Sequence, residues 1–253
     1  MNDGRIIAWF SCGAASAVAA KSALTMFGSE RVEVVCCDTR PSEHPDNYRF
    51  SEDCERWFGK KITYLRSDKY PNVDEVFIET RYMSGVRGAR CTIELKKVPR
   101  FHFQKPDDTH IFGFTSEEGR RIKTFRANNH DLSLYFILYE FGFTKAKCYA
   151  ELSKAGIELP AMYRLGFDNN NCPGCVKASS PWYWAMIRRH FPEVFKRRCE
   201  QSRELGVRLV EISHHKRIFL DELPDKEFRR RGTKENLSCG PECAPTLESM
   251  EVE

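Results

Sequence analysis

One stretch near the start of the chain restricts the possible fold more than any other. Residues 6–10 are apolar, as in a buried strand, and residues 14–23 are small and typical of a helix. The turn that joins them contains Ser11, Cys12 and Gly13. Backbone N–H groups converge in such a turn and the helix dipole adds positive potential, so the turn suits a phosphate. The alternative is a strand-to-helix turn whose small residues serve packing alone.

Strands and helices are predicted to alternate after this turn. The predicted strands are residues 6–10, 32–37, 62–65 and 111–114, and the predicted helices between them are residues 14–23, 48–58 and 73–80. A glycine- and arginine-bearing loop over 85–90 leads to a short helix that Pro99 should disturb. The alternation predicts an α/β fold with a mostly parallel sheet. Asp38 follows the second strand, at the edge where open α/β sheets bind ligands.

The second half of the chain is predicted to be mainly helical. A polar loop is expected over 117–121, and apolar side chains recur at helix spacing over 132–141. Thr144 has the residue type of an N-cap for a helix over 145–155. An aromatic, basic helix is predicted over 181–203 and a short strand over 207–212.

The size of the chain allows one large domain or a domain with an extension. With 253 residues, we predict a nucleotide-binding α/β domain over 1–166 and a helical, cysteine-bearing extension with a flexible tail over 167–253. No apolar run is long enough to span a bilayer, and the first residues do not form a secretory signal. We therefore expect a cytoplasmic protein with no membrane partner. The net charge of +4 is a weak indication of an anionic partner.

The cysteines are the second informative feature. Their number, eleven, is odd and high for a reducing compartment, and a disulfide framework fits such a chain poorly. Cys172 and Cys175 flank a Pro-Gly turn that points both sulfurs the same way, as in half of a metal or cluster site. Cys91, Cys239 and Cys243 are the candidates for the remaining ligands. A redox dithiol, a structural zinc knuckle and a plain turn are the alternatives.

Two groups of cations accompany these thiols. Arg90, Lys96 and Lys97 lie close to Cys91 in the sequence, and nearby cations favour a thiolate or hold an anion. The pair Arg120–Arg121 follows a predicted strand and can clamp an anion in the same way. Either group is also compatible with an ordinary solvated face.

Taken in order, these motifs resemble those of the phosphoadenylyl-sulfate (PAPS) reductase family, within the PP-loop ATP-pyrophosphatase group, phage-encoded members included. The resemblance covers roughly residues 6–175. Residues 11–16 are similar to the pyrophosphate loop Ser-Gly-Gly-x-Asp-Ser, and residues 91–99 to the family segment Cys-x-x-x-Leu-Lys-x-x-Pro. The later matches are Gly113-Phe114 with Arg120-Arg121, then Gly142-Phe-Thr-Lys, Gly156-Ile-Glu-Leu-Pro and Asn171-Cys-Pro-Gly-Cys.

The resemblance implies a Rossmann-like (HUP-type), doubly wound sheet that binds an adenine nucleotide, either ATP or a sulfonucleotide, with Mg²⁺ as a further cofactor. The implied nucleotide-binding residues are Ser11, Cys12, Gly13, Ala14, Ser16, Asp38, Gly113 and Phe114. The implied catalytic cations, which would balance anionic charge in the transition state, are Lys96, Arg120 and Arg121.

Members of the family divide between two chemistries, and the chain has features of both. In the first, ATP activates a substrate and sulfur from a donor is inserted with a 4Fe-4S cluster, here on Cys91, Cys172 and Cys175; zinc is the alternative metal. The implied substrate is a tRNA or DNA, to which the basic, aromatic stretch Trp182–Arg198 and the run Arg229–Arg231 would bind. In the second, a thiol-dependent reductase of PAPS or a related sulfonucleotide uses Cys239 or Cys243 as the catalytic nucleophile.

A third hypothesis is a nucleotide-binding regulatory protein without catalysis. It is encouraged by Ala15, which stands where the family loop has its aspartate. The sequence leaves open the fourth cluster ligand and whether the chain forms a homodimer.

Overall fold

The computed structural model describes residues 4–85, 88–214 and 216–230. Its strands are β1 (Ile6–Trp9), β2 (Val32–Cys37), β3 (Thr63–Leu65), β4 (Ser84–Gly85), β5 (Gly88–Ala89), β6 (Thr109–Ile111), β7 (Ser133–Tyr135), β8 (Val210–Ser213) and β9 (Lys216–Ile218). Five of them form one parallel sheet in the order β3-β2-β1-β6-β7. The pairs β4–β5 and β8–β9 are antiparallel. The protein therefore has the predicted α/β, Rossmann-like fold.

The helices are α1 (Ala14–Phe27), α2 (Asp46–Phe58), α3 (Val73–Thr80), α4 (Arg90–Thr92), α5 (Val98–Phe103), α6 (Gly119–Ala127), α7 (Ile137–Glu140), α8 (Lys145–Lys154), α9 (Ala161–Arg164), α10 (Pro181–His190) and α11 (Pro192–Glu204). A π-helical turn, Ile93–Lys97, joins α4 to α5, and Pro99, which has no N–H, stands in the first turn of α5. Within the described ranges, no helix combines the length and the apolar character that crossing a membrane requires.

Alternation along β1 gives the sheet two buried faces. Ile6 and Ala8 pack in a cluster with the alanines of α1 and with residues of α2 and α8, whereas Ile7 and Trp9 pack on the opposite face with an aromatic group around Phe112. The small side chains of α1 let this helix lie close to the sheet. Because β1 is flanked by β2 on one side and β6 on the other, the chain reverses its winding direction between β1 and β6. In open sheets of this class, ligands bind at such a switch point.

A third hydrophobic cluster lies away from the central sheet. Val76 and Phe77 of α3 pack there with Trp184 of α10 and Val210 of β8. Trp184 is fully buried, and its indole N–H donates a hydrogen bond of 2.8 Å to the carbonyl of Ala178. Residues on both sides of the predicted domain boundary at 166–167 thus share one hydrophobic cluster.

Three local predictions are wrong between residues 109 and 135. Residues 133–135 form β7 rather than part of a helix over 132–141, because they pair in parallel with β6; a short apolar run does not distinguish the two structures. The polar segment 117–121 contains the start of α6, preceded by a capping box in which the backbone N–H of Thr115 donates to Glu118 Oε2 at 2.9 Å. The fourth strand of the sheet, β6, covers 109–111 rather than 111–114.

The predicted helix over 181–203 is two helices. The break falls at Phe191, which caps both α10 and α11, because Pro192 has no N–H with which to continue α10. The Thr144 cap of α8 is confirmed: its side chain accepts a hydrogen bond of 3.2 Å from the backbone N–H of Lys147.

Candidate functional site

The loop between β1 and α1 is built around one hydroxyl group. Ser16 Oγ accepts hydrogen bonds from the backbone N–H groups of Ser11, at 3.1 Å, and Gly13, at 3.3 Å, and donates to the carbonyl of Gly13 at 2.9 Å. Ser11 Oγ also lies 3.2 Å from Ser16 Oγ. Helix α1 begins at Ala14, directly after Gly13, and its first backbone N–H groups have no hydrogen-bond acceptor within the helix. The predicted phosphate loop is therefore a compact turn at the positive end of a 14-residue helix.

Cys12 has an unusual backbone for its residue type. Its φ is 54°, in the left-handed region that favours glycine, and the PP-loop pattern has glycine at this position. The side chain is 1% exposed, and its sulfur lies 3.4 Å from Ser51 Oγ on α2. A hydrogen bond with Cys12, together with burial, raises the pKa of the Cys36 thiol on β2. The Cys12 thiol thus packs beneath the loop, against β2 and α2.

Gly113 supports the loop from the neighbouring strand. It follows β6, and a Cβ atom at this position would lie 2.6 Å from the backbone nitrogen of Ser16 and 2.9 Å from the carbonyl carbon of Ala15. Only glycine allows the two segments to approach so closely at the switch point. The next residue, Phe114, is buried in the aromatic cluster on the opposite face of the sheet, where the Arg121 guanidinium lies 4.5 Å from its ring.

Asn170 was not predicted from the sequence, and it joins the loop to the second half of the chain. Its side-chain N–H₂ donates to the carbonyl of Cys12 at 2.6 Å and to Asn47 Oδ1 at 2.8 Å. Asn170 is 8% exposed, and its Oδ1 accepts no hydrogen bond from the described residues. Burying an amide oxygen without a hydrogen-bond donor costs free energy, so we expect a ligand or water to donate to Asn170 Oδ1.

Tyr163 is the second residue that was missed. Its hydroxyl oxygen lies 3.4 Å from the point that a Cβ of Gly13 would occupy. Burial raises the pKa of this phenol to about 12, and hydrogen bonds from the backbone N–H groups of Ala14 and Asn170 partly oppose that rise. The phenol oxygen therefore lies over the start of α1.

Asp38 lies where it was predicted, directly after β2, but it is engaged by two arginines. Arg40 contacts its carboxylate at 2.7 Å and Arg66 at 3.0 Å, and the carboxylate is 1% exposed. Burial alone would raise the pKa of Asp38, and the two guanidinium groups more than compensate, so that this pKa is lowered. Arg40 also lies 3.8 Å from the ring centre of Tyr64. Two ion pairs within the protein therefore hold the carboxylate of Asp38 at this corner of the sheet edge.

The predicted cations differ in their surroundings. Lys96 is 6% exposed in the π-helical turn, and its carbonyl accepts a hydrogen bond of 3.3 Å from Cys37 Sγ at the end of β2. Arg121 pairs with Glu118 at 2.7 Å, whereas Arg120 is exposed. Lys145, which was not predicted, lies 5.6 Å from the ring centre of Tyr163, and burial lowers its pKa.

The turn with Cys172 and Cys175 is fixed by two buried side chains. The hydroxyl of Tyr183 accepts a hydrogen bond of 2.8 Å from the backbone N–H of Cys175 and donates to the carbonyl of Cys172 at 3.3 Å. Arg198 Nε donates to the carbonyl of Gly174 at 3.1 Å. Gly174 has a φ of 69°, and a Cβ there would lie 2.7 Å from Val194 Cγ1 on α11. Both thiols are therefore held on one turn beside a buried guanidinium.

The structure tests only part of the predicted metal site. Cys91 packs against the hydrophobic cluster that contains Cys175. Within the described ranges, no three His, Cys, Asp or Glu side chains form a group that could hold a metal ion. Cys239 and Cys243 lie outside the described residues. The donor chemistry, two buried thiols on one rigid turn, fits a thiolate-bound metal or cluster. The described side chains alone do not complete such a site.

The basic residues of α10 and α11 make many contacts within the protein. Arg188 donates to the carbonyls of Leu223 and Pro224 and pairs with Asp225. Arg198 pairs with Asp74 on α3, and Arg203 with Asp221 and Glu222. Arg189, Lys196 and Arg197 are exposed, and Arg197 also pairs with Asp74. A nucleic acid that binds this face would meet fewer available cations than the sequence suggests.

Comparison with known proteins adds no assignment to this geometry. Neither a scan against models of known protein families nor a search of curated proteins finds a match for the chain.

Proposed function

We propose that this protein is an ATP-using enzyme of the sulfurtransferase type, related to the PAPS reductases. It would activate a substrate by adenylation, release pyrophosphate and then insert sulfur. The observation that carries the proposal is the hydrogen bond of 2.6 Å from Asn170 to the carbonyl of Cys12. It links the phosphate loop directly to the segment that bears Cys172, two residues further on. In sulfur transfer the activated carbon and the sulfur must meet, so the phosphate loop and the cysteine turn must lie close together.

The loop supplies the nucleotide-binding part of the proposed reaction. The N–H groups at the start of α1 would donate to phosphate oxygens, and Gly113 leaves room for the loop to keep its shape. Lys96 is buried in the turn that contacts Cys37 at the end of β2, and Lys145 is partly buried beside Tyr163; both would offset the charge of the leaving pyrophosphate. Asp38 contributes indirectly, by fixing Arg40 after β2.

The cysteine turn supplies the sulfur part. Cys172 and Cys175 would hold a metal or cluster together with Cys91, and Arg198 would favour the thiolate forms. When bound, a cluster on these thiols would hold sulfur for the transfer. An adenine nucleotide, a sulfur donor and a tRNA or DNA substrate are the partners of this reaction. Mg²⁺ would accompany the ATP.

One experiment tests the nucleotide half of the proposal. Protein purified without oxygen is titrated with MgATP by calorimetry, beside a Ser16→Ala variant that lacks the central hydroxyl of the loop. We expect the wild-type protein to bind ATP and the variant to bind it at least about tenfold more weakly, since the contacts of Ser16 Oγ with Ser11 and Gly13 hold the loop in its shape. Absence of ATP binding at millimolar concentration would overturn the proposal.

A second candidate function is nucleotide binding without ATP cleavage. Ala15 occupies the first turn of α1 and carries a methyl group where the PP-loop pattern has a carboxylate. Incubation with ATP, Mg²⁺, sulfide as the sulfur donor and tRNA or DNA separates the two candidates. The enzyme should release AMP and pyrophosphate in equal amounts, whereas a binding protein should retain intact ATP.

A further inference from the structure

Tyr163 places a neutral oxygen where the phosphate loop would hold a charged one. Its hydroxyl oxygen lies 3.4 Å from the position of a Cβ on Gly13, the residue directly before α1, and the nearby backbone N–H groups of Ala14 and Asn170 act to lower the pKa of the phenol. Ala14 is the first residue of α1, so this N–H belongs to the positive end of the helix. A phosphate oxygen bound at the start of α1 would use the same donor. The phenol and the phosphate cannot both occupy that place.

The amide of Asn170 is the second sign of a ligand at this point. It is 8% exposed, its N–H₂ group is held by Cys12 and Asn47, and its Oδ1 accepts no hydrogen bond from any described residue. A hydroxyl or water that follows a bound phosphate would supply the missing donor. Tyr163 thus lies over the start of α1, whereas Asn170 Oδ1 lacks a hydrogen-bond donor among the described residues.

Tyr163 stands on the short helix α9, which is anchored by the buried side chain of Met162 and by Asp46. Helix α9 has four residues and is followed by Gly166, whose φ is 91°. The backbone N–H of Ala161 donates to Asp46 Oδ2 at 2.8 Å, and Arg164 pairs with the same carboxylate at 3.3 Å. The ring of Tyr163 meets Tyr149 edge to face at 5.5 Å. A rotation of the side chain about its own bonds would free the loop without moving the sheet.

We propose that the Tyr163 hydroxyl is an internal competitor for the phosphate position of the loop, and that nucleotide binding requires it to leave. This inference rests on the proposed function, because it assumes that the loop binds phosphate. It adds a residue that tunes affinity: the loop stays capped until a phosphate replaces the phenol. Removal of the hydroxyl should therefore strengthen phosphate binding, whereas a hydroxyl that contacts the bound phosphate would have the opposite effect.

The sign of the change in affinity is the test. Inorganic pyrophosphate and MgATP are titrated into the wild-type protein, Tyr163→Phe and Tyr135→Phe. Tyr135 is the matched control, because it is also partly buried but packs on Phe27, away from the loop. We expect Tyr163→Phe to bind pyrophosphate about two- to tenfold more tightly, the value of one lost competing hydrogen bond, and Tyr135→Phe to match the wild type.

The outcomes separate this inference from the proposed function. Equal or weaker binding by Tyr163→Phe, with normal binding by the wild type, overturns the competitor role and leaves the proposed function standing. Failure of all three proteins to bind either probe overturns both. Amide hydrogen exchange without ligand gives a second readout: the peptide that contains Ala14 should exchange faster in Tyr163→Phe than in Tyr135→Phe. Unchanged exchange there would show that the hydroxyl does not cap the loop.

Discussion

The side-chain amide of Asn170 donates a hydrogen bond of 2.6 Å to the backbone carbonyl of Cys12, across 158 positions of the chain. The same amide also donates to Asn47 on α2. One side chain therefore couples three parts of the molecule: the loop after β1, the helix beside it and the segment that leads to Cys172. A shift in any of them must strain this contact or break it.

Asn170→Ala should lower both stability and nucleotide affinity. It leaves the Cys12 carbonyl and Asn47 Oδ1 without their donor in a buried place, which costs about 1–3 kcal/mol of the free energy of unfolding. Urea unfolding measures that loss, and calorimetry with MgATP measures the affinity. Asn128→Ala is the control, since Asn128 is exposed at the end of α6 and should change neither quantity. Wild-type affinity in Asn170→Ala would contradict the coupling.

Local sequence was sufficient to predict the loop, but not the residues that complete it. Gly13 and Ser16 were predicted because a strand, a small-residue turn and a helix follow one another directly, and their contacts lie within five positions. Asn170 and Tyr163 reach the loop only after the chain has folded back on itself. A phenol or an amide has no local signature of that role; the run of asparagines before Cys172 was the only visible signal.

The fold was predicted better than its boundaries, and β7 explains why. Residues 133–135 are Ser, Leu and Tyr, a segment short enough to fit either a strand or a helix, and pairing with β6 decides between them. Asp38 is a similar case at the site. Its position after β2 was predicted, but Arg66 comes from beyond β3 to pair with it, and that contact depends on strand order.

Gly113→Ala should push the backbone of the segment after β6 against the start of α1 and so disturb the loop. The added Cβ would lie 2.6 Å from Ser16 N and 2.7 Å from Ser16 Cα, and backbone atoms cannot yield as a flexible side chain would. We expect a loss of about 1–3 kcal/mol in stability and weaker binding of pyrophosphate. Gly119→Ala is a sharp control: Gly119 has a helical φ of −56°, and its nearest neighbour would be Tyr139 at 3.5 Å. That variant should be as stable as the wild type or slightly more so. Equal behaviour of both variants would show that the close approach is unimportant.

Cys12→Gly and Cys12→Ala should differ in stability in a defined direction. Both remove the thiol that contacts Ser51, but only glycine relieves the left-handed backbone at a φ of 54°. The glycine variant should therefore be about 1 kcal/mol more stable than the alanine variant. Thermal and urea unfolding of the two proteins side by side measures the difference. An alanine variant that is the more stable of the two would mean that the loop relaxes to another conformation.

The attachment of α9 through Asp46 should weaken in acid. Hydrogen bonds from Arg49 lower the pKa of Asp46 to about 2, against the opposing effect of burial and with help from the N–H of Ala161. Because the folded-state pKa lies below the ordinary value of 3.8, the carboxylate contributes its full stabilisation above about pH 4. That contribution is lost as the pH falls toward 2. The stability difference between wild type and Asp46→Asn should therefore shrink over this range.

Urea unfolding at several pH values between 2 and 6 measures this difference. Asp225→Asn serves as the comparison, because the Asp225 side chain is 98% exposed and its substitution should change stability little at any of these pH values. A difference between wild type and Asp46→Asn that stays constant down to pH 2 would mean that Asp46 titrates normally in the folded protein.

Metal content should depend on the cysteine turn and not on cysteines in general. Protein purified without oxygen is analysed for iron, sulfide and zinc in the wild type, Cys172→Ser, Cys175→Ser and Cys199→Ser. Cys172 and Cys175 share one turn that is held by Tyr183, whereas Cys199 is a partly buried residue of α11. We expect a brown wild-type protein with iron and sulfide in equal amounts, loss of both elements in the two turn variants, and normal content in Cys199→Ser.

Zinc in place of iron would keep the ligands but exclude the cluster. A colourless protein without iron or zinc would remove the sulfur half of the proposed reaction, and ATP binding would then favour the nucleotide-binding alternative.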